Sequence, residues 1–427
     1  MKYKSTAILF SSILLLISTK VYADQYHYSD ILIGDRAAGF SGAYTAISDD
    51  PSGLYYNPAG IVRAPDGQLS ASANAYNQTA YKYSNINAGG HTWERKSNAN
   101  IANFFGAFQP FGEFMVGFSI AVPDSNKASQ DESFHNYEAA DPNWTIQDEI
   151  INYKEDDTTL LFGPSLAYKL NDKLSLGATL YIHVRNDEFT FRQETRASNN
   201  ASGDIVYDIL FQKYKTNEMG LKPMLGVMWD ASKTFSVGAT LAQTFMLSQD
   251  PMAQNSQITN ASIDKTSGVT VITKVGNNVD AGNYFPVGMS KAPDRQLPLE
   301  AKLGFAWFPD SRLIVSTDIQ YYGETSDYAS VLNIAGGMEY FFSPKISTRF
   351  GLNTNNSNNK SLNQPGFDVD MLGLTWSLSQ HNRLSALTFG LNYSQGTGKA
   401  RLLEGSNRIQ DLTVQSLTAY IATSMNF

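Results

Sequence analysis

His183 and Arg185, Glu300 and Lys302, Asp318, Glu339 and Arg349 each fall on the polar phase of a segment whose alternate residues are apolar. Buried inside a protein, such groups do one of two things. Arg185, Lys302 and Arg349 could orient an anionic ligand, since a guanidinium or ammonium gives a carboxylate charge-assisted hydrogen bonds. The same cations could instead tie into a structural network with Asp35, Arg36, Asp49 or Asp50 near the N-terminus. Turnover is not suggested. There is no Gly-x-Ser-x-Gly elbow, so no catalytic residue is named. His27, His91, His135, His183 and His381 are scattered without metal-ligand spacing, so neither metal nor cofactor is expected. A formal net charge of −8 and the lack of a phosphate-cradling loop or basic patch argue against a nucleic-acid partner. A second set of residues is apolar: Met246, Leu247, Met252, Tyr284, Phe285, Pro286, Val287 and Met289 lie in one long connection. Flexible methionines and aromatics suit binding of varied apolar ligands.

The elements that must hold these residues alternate with period two, so that one face meets lipid and the other a polar interior. GEFMVGFSIAV aligns Phe114, Val116, Phe118, Ile120 and Val122, and KLSLGATLYIHV aligns Leu174, Leu176, Ala178, Leu180, Ile182 and Val184. The same test predicts strands near 67–76, 99–109, 113–122, 158–169, 173–185, 217–229, 233–245, 298–308, 312–323, 331–342, 345–354, 366–379, 382–394 and 412–427. Short turns alternate with long polar connections, the rhythm of an up-and-down membrane barrel with tight periplasmic turns. Trp229, Trp307 and Tyr168 flank short turns, where an interfacial aromatic girdle belongs. The expected fold is all-β: a 14-stranded antiparallel transmembrane β-barrel over residues 67–427. Its charges point inward because on the lipid face each would cost a few kcal/mol near the midplane.

Composition fits. Charged residues make up 17% and aromatics 12%, while mean hydropathy is slightly negative. Lys2 and Lys4, the apolar run Ala7 to Ile17, and Val21-Tyr22-Ala23 form a secretory signal over residues 1–23, with cleavage expected near Ala23. The absence of cysteine excludes a disulfide framework. At the other end, QSLTAYIATSMNF closes on Phe427, a terminal aromatic that resembles the signal read by the bacterial barrel-assembly machinery.

Residues 24–66 carry little alternation and are rich in small side chains. A bore of this size leaks water unless something fills it, so this segment is expected inside the lumen as an N-terminal hatch. Gly39, Gly42, Gly53 and Gly60 permit close packing. Pro51 and Pro58 stop any helix that starts, and Ala43 to Ile47 could form a short helix between them. The segment is similar to the hatch of FadL-type outer-membrane channels. The likeness rests on Ala38-Gly39, the Ala43 to Ala46 run, Asp49-Asp50-Pro51-Ser52 and Asn57-Pro58-Ala59-Gly60. It also resembles barrels of the PorV type, which serve protein secretion.

The FadL resemblance implies passive uptake of hydrophobic small molecules, long-chain fatty acids first, by a monomer in the bacterial outer membrane. Asn57, Pro58, Ala59 and Gly60 would be the hatch residues linked to passage. The connections 186–216 and 246–297 would be outer capture loops, with Met246, Leu247, Tyr284, Phe285, Val287 and Met289 contacting ligand. Exit would be lateral, through a kink in the third strand that Gly112, Gly117 or Pro123 could permit. Two rivals stand beside it: a PorV-like scaffold or shuttle holding partner proteins, and a diffusive porin.

Overall fold

The computed structural model describes residues 26–28, 30–64, 66–263, 270–275, 290–291, 294–363, 366–402 and 408–427. Alternating sequence does what it must here. Each strand leaves its backbone groups to be satisfied by neighbours, and in lipid only ring closure satisfies all of them. Fourteen antiparallel strands close into a barrel. They are β1 (Gln68–Ser84), β2 (Trp93–Asn98 and Ala102–Phe111), β3 (Phe114–Glu138), β4 (Trp144–Lys169), β5 (Leu174–Asn199), β6 (Ile205–Ser232) and β7 (Phe235–Gln243 and Phe245–Gln249). The circle continues through β8 (Leu299–Trp307), β9 (Leu313–Tyr322), β10 (Val331–Ser343), β11 (Ile346–Asn355), β12 (Gly366–His381), β13 (Ser385–Arg401) and β14 (Gln410–Asn426). β14 pairs back onto β1 from Gln68–Asn426 to Ser84–Asp411, which closes it. Leu176, Leu180, Leu225, Leu374 and Phe389 project outward, while their neighbours Ser175, Thr179, Ser377 and Thr388 are buried inside.

The wall is uneven in height. β7 and β8 have 9-residue segments, whereas β4 and β5 run for 26 residues and β6 for 28. At about 3.3 Å per residue, 26 residues reach roughly 85 Å along the strand, far more than the 9 to 11 residues that span a membrane. The upper parts of β3 to β6 therefore stand outside the bilayer. This corrects the expectation of a capture loop over 186–216: β5 continues to Asn199 and pairs with β6 down to Ile205, leaving only a short turn. Period two persists there, but with Asn186, Glu188, Thr190 and Arg192 on the outer face. Outside lipid, that face needs no apolar side chains. Part of 246–297 joins the same sheet, since Met252–Ile263 pairs with β6 and Thr270–Val275 pairs back on it.

The hatch contains two single-turn helices, α1 (Arg36–Gly39) and α2 (Gly53–Tyr56), followed by a 3-10 helix (Pro58–Arg63). Ala43 to Ile47 is turn and irregular chain instead of the expected helix. Pro58 starts its helix rather than stopping one: at the first helical position its missing N–H costs nothing. Ile33, Phe40, Tyr44, Leu54 and Ile61 are fully buried, so the hatch is a true core of the barrel interior.

Candidate functional site

Asn57 carries the hatch's attachment to the wall. Its Oδ1 accepts from the Ala59 amide at 3.1 Å, capping the 3-10 helix, and its Nδ2 donates to the carbonyls of Thr45 (2.9 Å) and Val227 (3.0 Å). The last of these lies on β6. The wall meets the hatch with glycines where the two backbones touch. A Cβ on Gly226 would lie 2.1 Å from Asn57 Oδ1, and one on Gly177 2.3 Å from the Ala59 nitrogen. Gly238 and Gly304 meet Thr45 and Ala46 in the same way, and Gly337 and Gly351 meet Phe40. Gly60 itself packs on Ser48. Strand glycines weaken a sheet unless another backbone approaches closely, so these positions were a sequence signal for the hatch-binding belt that alternation counting passed over.

The lumen charges separate into two kinds. Arg349 binds Glu339 (2.8 Å), Asp35 (3.3 Å) and Ser379 (2.7 Å), and Arg36 of α1 reaches the same Glu339 at 3.0 Å. Asp318 accepts from the Tyr44 and Thr45 amides at 3.1 and 3.0 Å. Both carboxylates and Arg349 thus hold the hatch. Arg185 is enclosed by Asp157 (2.6 Å), Asp187 (3.0 Å) and Glu218 (3.3 Å), with Arg295 on the far side of Glu218 at 2.7 Å. His183 lies 3.8 Å from that same glutamate. Lys302 differs. Glu300 is taken by Lys222 at 2.6 Å, and among the described residues no carboxylate lies within ion-pairing distance of Lys302. Its ammonium instead stands 5.7 Å and 5.4 Å from the ring centres of Tyr55 and Tyr56, a cation–π arrangement.

Two cavities sit above the hatch. The lower is bounded by Lys302, Tyr55, Tyr56, Ile31, Leu32 and Ala335. The upper shares Ile31, Leu32 and Asn353 with it and reaches Ser97 on β2 and Asp124 to Asn126 on β3. Above both, the mouth is packed with Tyr81, Tyr83, Trp93, Tyr153, Phe189 and Phe191. Arg95 lies between Tyr81 (4.0 Å) and Tyr153 (4.6 Å) and pairs with Glu155. These aromatics were not singled out in the sequence, because no motif marks them and only the tall strands bring them together.

Beside the upper cavity the wall is interrupted. Backbone pairing of β2 with β3 runs from Phe111–Phe114 to Phe104–Ala121. Higher up, side chains stand in for the ladder: Ser97 Oγ accepts from the Lys127 amide at 3.1 Å, and the Gln130 side chain accepts from the Lys96 amide at 3.0 Å. On its other edge β3 carries a bulge between Ala121 and Asp124, and the Pro123 carbonyl turns to accept from Ile31 of the hatch segment at 3.2 Å. The irregularity thus falls at Val122–Pro123. Gly117, by contrast, sits in unbroken ladder and makes room for Leu54 of the hatch.

Of the loop residues, Leu247 is 61% exposed on the outer surface of β7 and Met246 is half-buried beside Gly220. Tyr284, Phe285, Val287 and Met289 lie outside the described residues, as does the signal segment. Among the described residues no helix is long and apolar enough to cross a membrane, and no cluster of side chains could hold a metal ion.

Comparison with known proteins agrees with this architecture. The family model for outer membrane protein transport protein (OMPP1/FadL/TodX) matches residues 14–423. The toluene transporter TodX of P. putida superposes with a TM-score of 0.63 at 13% identity, covering 92% of this chain and 98% of that one. A Pseudomonas aeruginosa FadL homologue gives 0.60 at 13%, covering 94% and 100%. The CymD monoaromatic hydrocarbon channel gives 0.60 at 12%, covering 92% and 97%. At these identities the likeness is one of fold. No curated protein sequence matches the chain. The family match over nearly the whole length, on a closed barrel with an internal hatch, settles the assignment: the chain belongs to the OMPP1/FadL/TodX family of outer-membrane transport proteins.

Proposed function

We propose that this barrel admits hydrophobic small molecules passively, receives them in the two cavities above the hatch and releases them sideways between β2 and β3. The observation that carries the reading is the upper cavity's position against the one stretch of β2–β3 wall where side chains replace the ladder. A lateral outlet suits an apolar solute, because it passes into the membrane without crossing water. The hatch below is clamped to the wall by Asn57, Asp318 and Arg349, so an axial path would require these bonds to break.

Within that reading, a long-chain fatty acid finds its head-group partner at Lys302 rather than at Arg185 or Arg349, whose carboxylate partners are already in place. A carboxylate entering beside Tyr55 and Tyr56 would gain a charge-assisted hydrogen bond. The likeness in fold to the toluene transporter TodX and the monoaromatic hydrocarbon channel CymD supports a second cargo, a compact aromatic hydrocarbon, which needs no cation. Tritiated oleate and toluene uptake, with Lys302→Met, separates them. Loss of saturable oleate uptake with toluene retained supports the fatty acid. Unchanged oleate affinity removes Lys302 from the route. A co-purifying protein with no saturable ligand would turn the barrel into a secretion scaffold.

A further inference from the structure

The upper cavity is not greasy. Asn77, Asn126, Asn353, Asn355 and Asn392 line it, with hydroxyls of Thr79, Ser394 and Ser416 between them. Several of these amides are already used: Asn77 Nδ2 donates to Thr418 at 2.8 Å, and Asn355 Nδ2 to Asp30 at 3.1 Å. Others hold an acceptor in reserve. Asn126 is 95% buried, and its Nδ2 donates to Glu155 Oε1 at 2.8 Å; a carboxylate only accepts, so this contact fixes which way the amide faces. That leaves Asn126 Oδ1 buried with no hydrogen-bond partner, and the Oδ1 atoms of Asn353 and Asn392 are in the same condition. Gly373 makes the space for one of them, since a Cβ there would lie 2.3 Å from Asn353 Oδ1. Among the described residues no lysine or arginine lines the cavity; its formally charged walls are Asp30 and Asp124, and His27 Nε2 donates to the Val369 carbonyl at 2.8 Å. Buried acceptors without donors are costly, and a site that presents them favours a solute that supplies the donor. Two carboxylates nearby disfavour a third.

We propose that the upper cavity recognises the polar end of an uncharged amphiphile, an apolar body bearing a hydroxyl or amide N–H, and that it discriminates against carboxylates. The proposal rests on the uptake reading but not on its fatty-acid form, for which Lys302 in the lower cavity is the relevant group. Cargo would then be sorted by head group: donors among the asparagines, anions at the lysine.

The test is uptake of four size-matched probes (p-cresol, 4-methylanisole, toluene and p-toluate) into proteoliposomes of the full mature protein, with protein-free vesicles subtracted. The ether has the shape and an oxygen but no donor. We expect saturable p-cresol uptake about five- to tenfold more efficient than that of 4-methylanisole, the size of one hydrogen bond to a buried acceptor, and p-toluate slower still. Asn353→Leu and Asn392→Leu, which leave the Asn126–Glu155 contact intact, should each bring p-cresol toward the ether's rate in barrels that keep heat-modifiable gel mobility. Equal rates for p-cresol and the ether, or p-toluate matching p-cresol, would overturn the inference while uptake stands. A preference that survives both substitutions would also overturn it. No saturable uptake of any probe would overturn the uptake reading and the inference together.

Discussion

Replacing Asn57 with alanine should loosen the hatch without unfolding the barrel. The side chain makes three hydrogen bonds, to the Ala59 amide and to the Thr45 and Val227 carbonyls, and it is fully buried. Each such bond contributes about 0.5–1.5 kcal/mol net, so their joint loss is worth about 1.5–4.5 kcal/mol; a lost helix cap alone costs about 1 kcal/mol. The barrel's own ladders do not pass through this residue, so the loss falls on the docking of residues 30–64. With a factor of ten per about 1.4 kcal/mol, amide hydrogen exchange in the 3-10 helix Pro58–Arg63 should quicken about ten- to a thousandfold. Exchange in β12 and β13 should stay as it was. Hydrogen exchange with mass spectrometry on the purified protein reads both regions in one experiment. Unchanged protection of the Ala59–Arg63 amides would refute the clamp. In planar bilayers the variant should show added water-filled conductance, since fourteen strands enclose a leaking bore once the plug moves.

Three further outcomes follow from the same geometry. Gly226→Val places a branched side chain where a Cβ already lies 2.1 Å from Asn57 Oδ1; limited proteolysis should then cut the hatch, and a hatch still protected would contradict the close-approach argument. Burial, helped by Asp49 and Asp35 and opposed by Arg36, raises Asp50 of the hatch to about 7. The docked hatch thus holds a proton that the undocked segment, with an ordinary carboxyl, releases. Docking should strengthen as pH falls from 8 through 7 toward 5 and weaken as pH rises. After correction for intrinsic exchange rates, Asp50→Asn should flatten that dependence, and a slope unaltered by the substitution would assign it to another group. Deleting Pro123 removes the one extra residue of the bulge between Ala121 and Asp124; lateral release predicts at least a severalfold drop in hydrophobic uptake at normal barrel yield, and undiminished uptake would place the exit elsewhere.

The sequence by itself determined the wall. Strict alternation in segments such as Leu174 to Val184 can satisfy lipid outside and water inside only as strands, and strands in lipid must close. Fourteen of them, the inward phase of Glu339 and Arg349, and a small-residue segment free to fill the bore were all legible before any coordinates. Alternation stopped being informative where lipid stopped. The outer halves of β3 to β6 have polar residues on their outward face, so they read as loops, although β4, for example, runs as one strand from Trp144 to Lys169. Nor could strand parity choose between binding and bracing: Arg185 and Lys302 face the same lumen, and only their neighbours distinguish them. Arg185 meets Asp157 on the adjacent strand, whereas Lys302 meets two tyrosines of the hatch, from which seven of the fourteen strands separate it in the chain. Contacts of that kind are set by how the plug docks against wall glycines such as Gly226 and Gly177. Docking depends on shape summed over many strands, which no local pattern encodes, so the tertiary structure alone decided where the cavities lie and which polar groups face them.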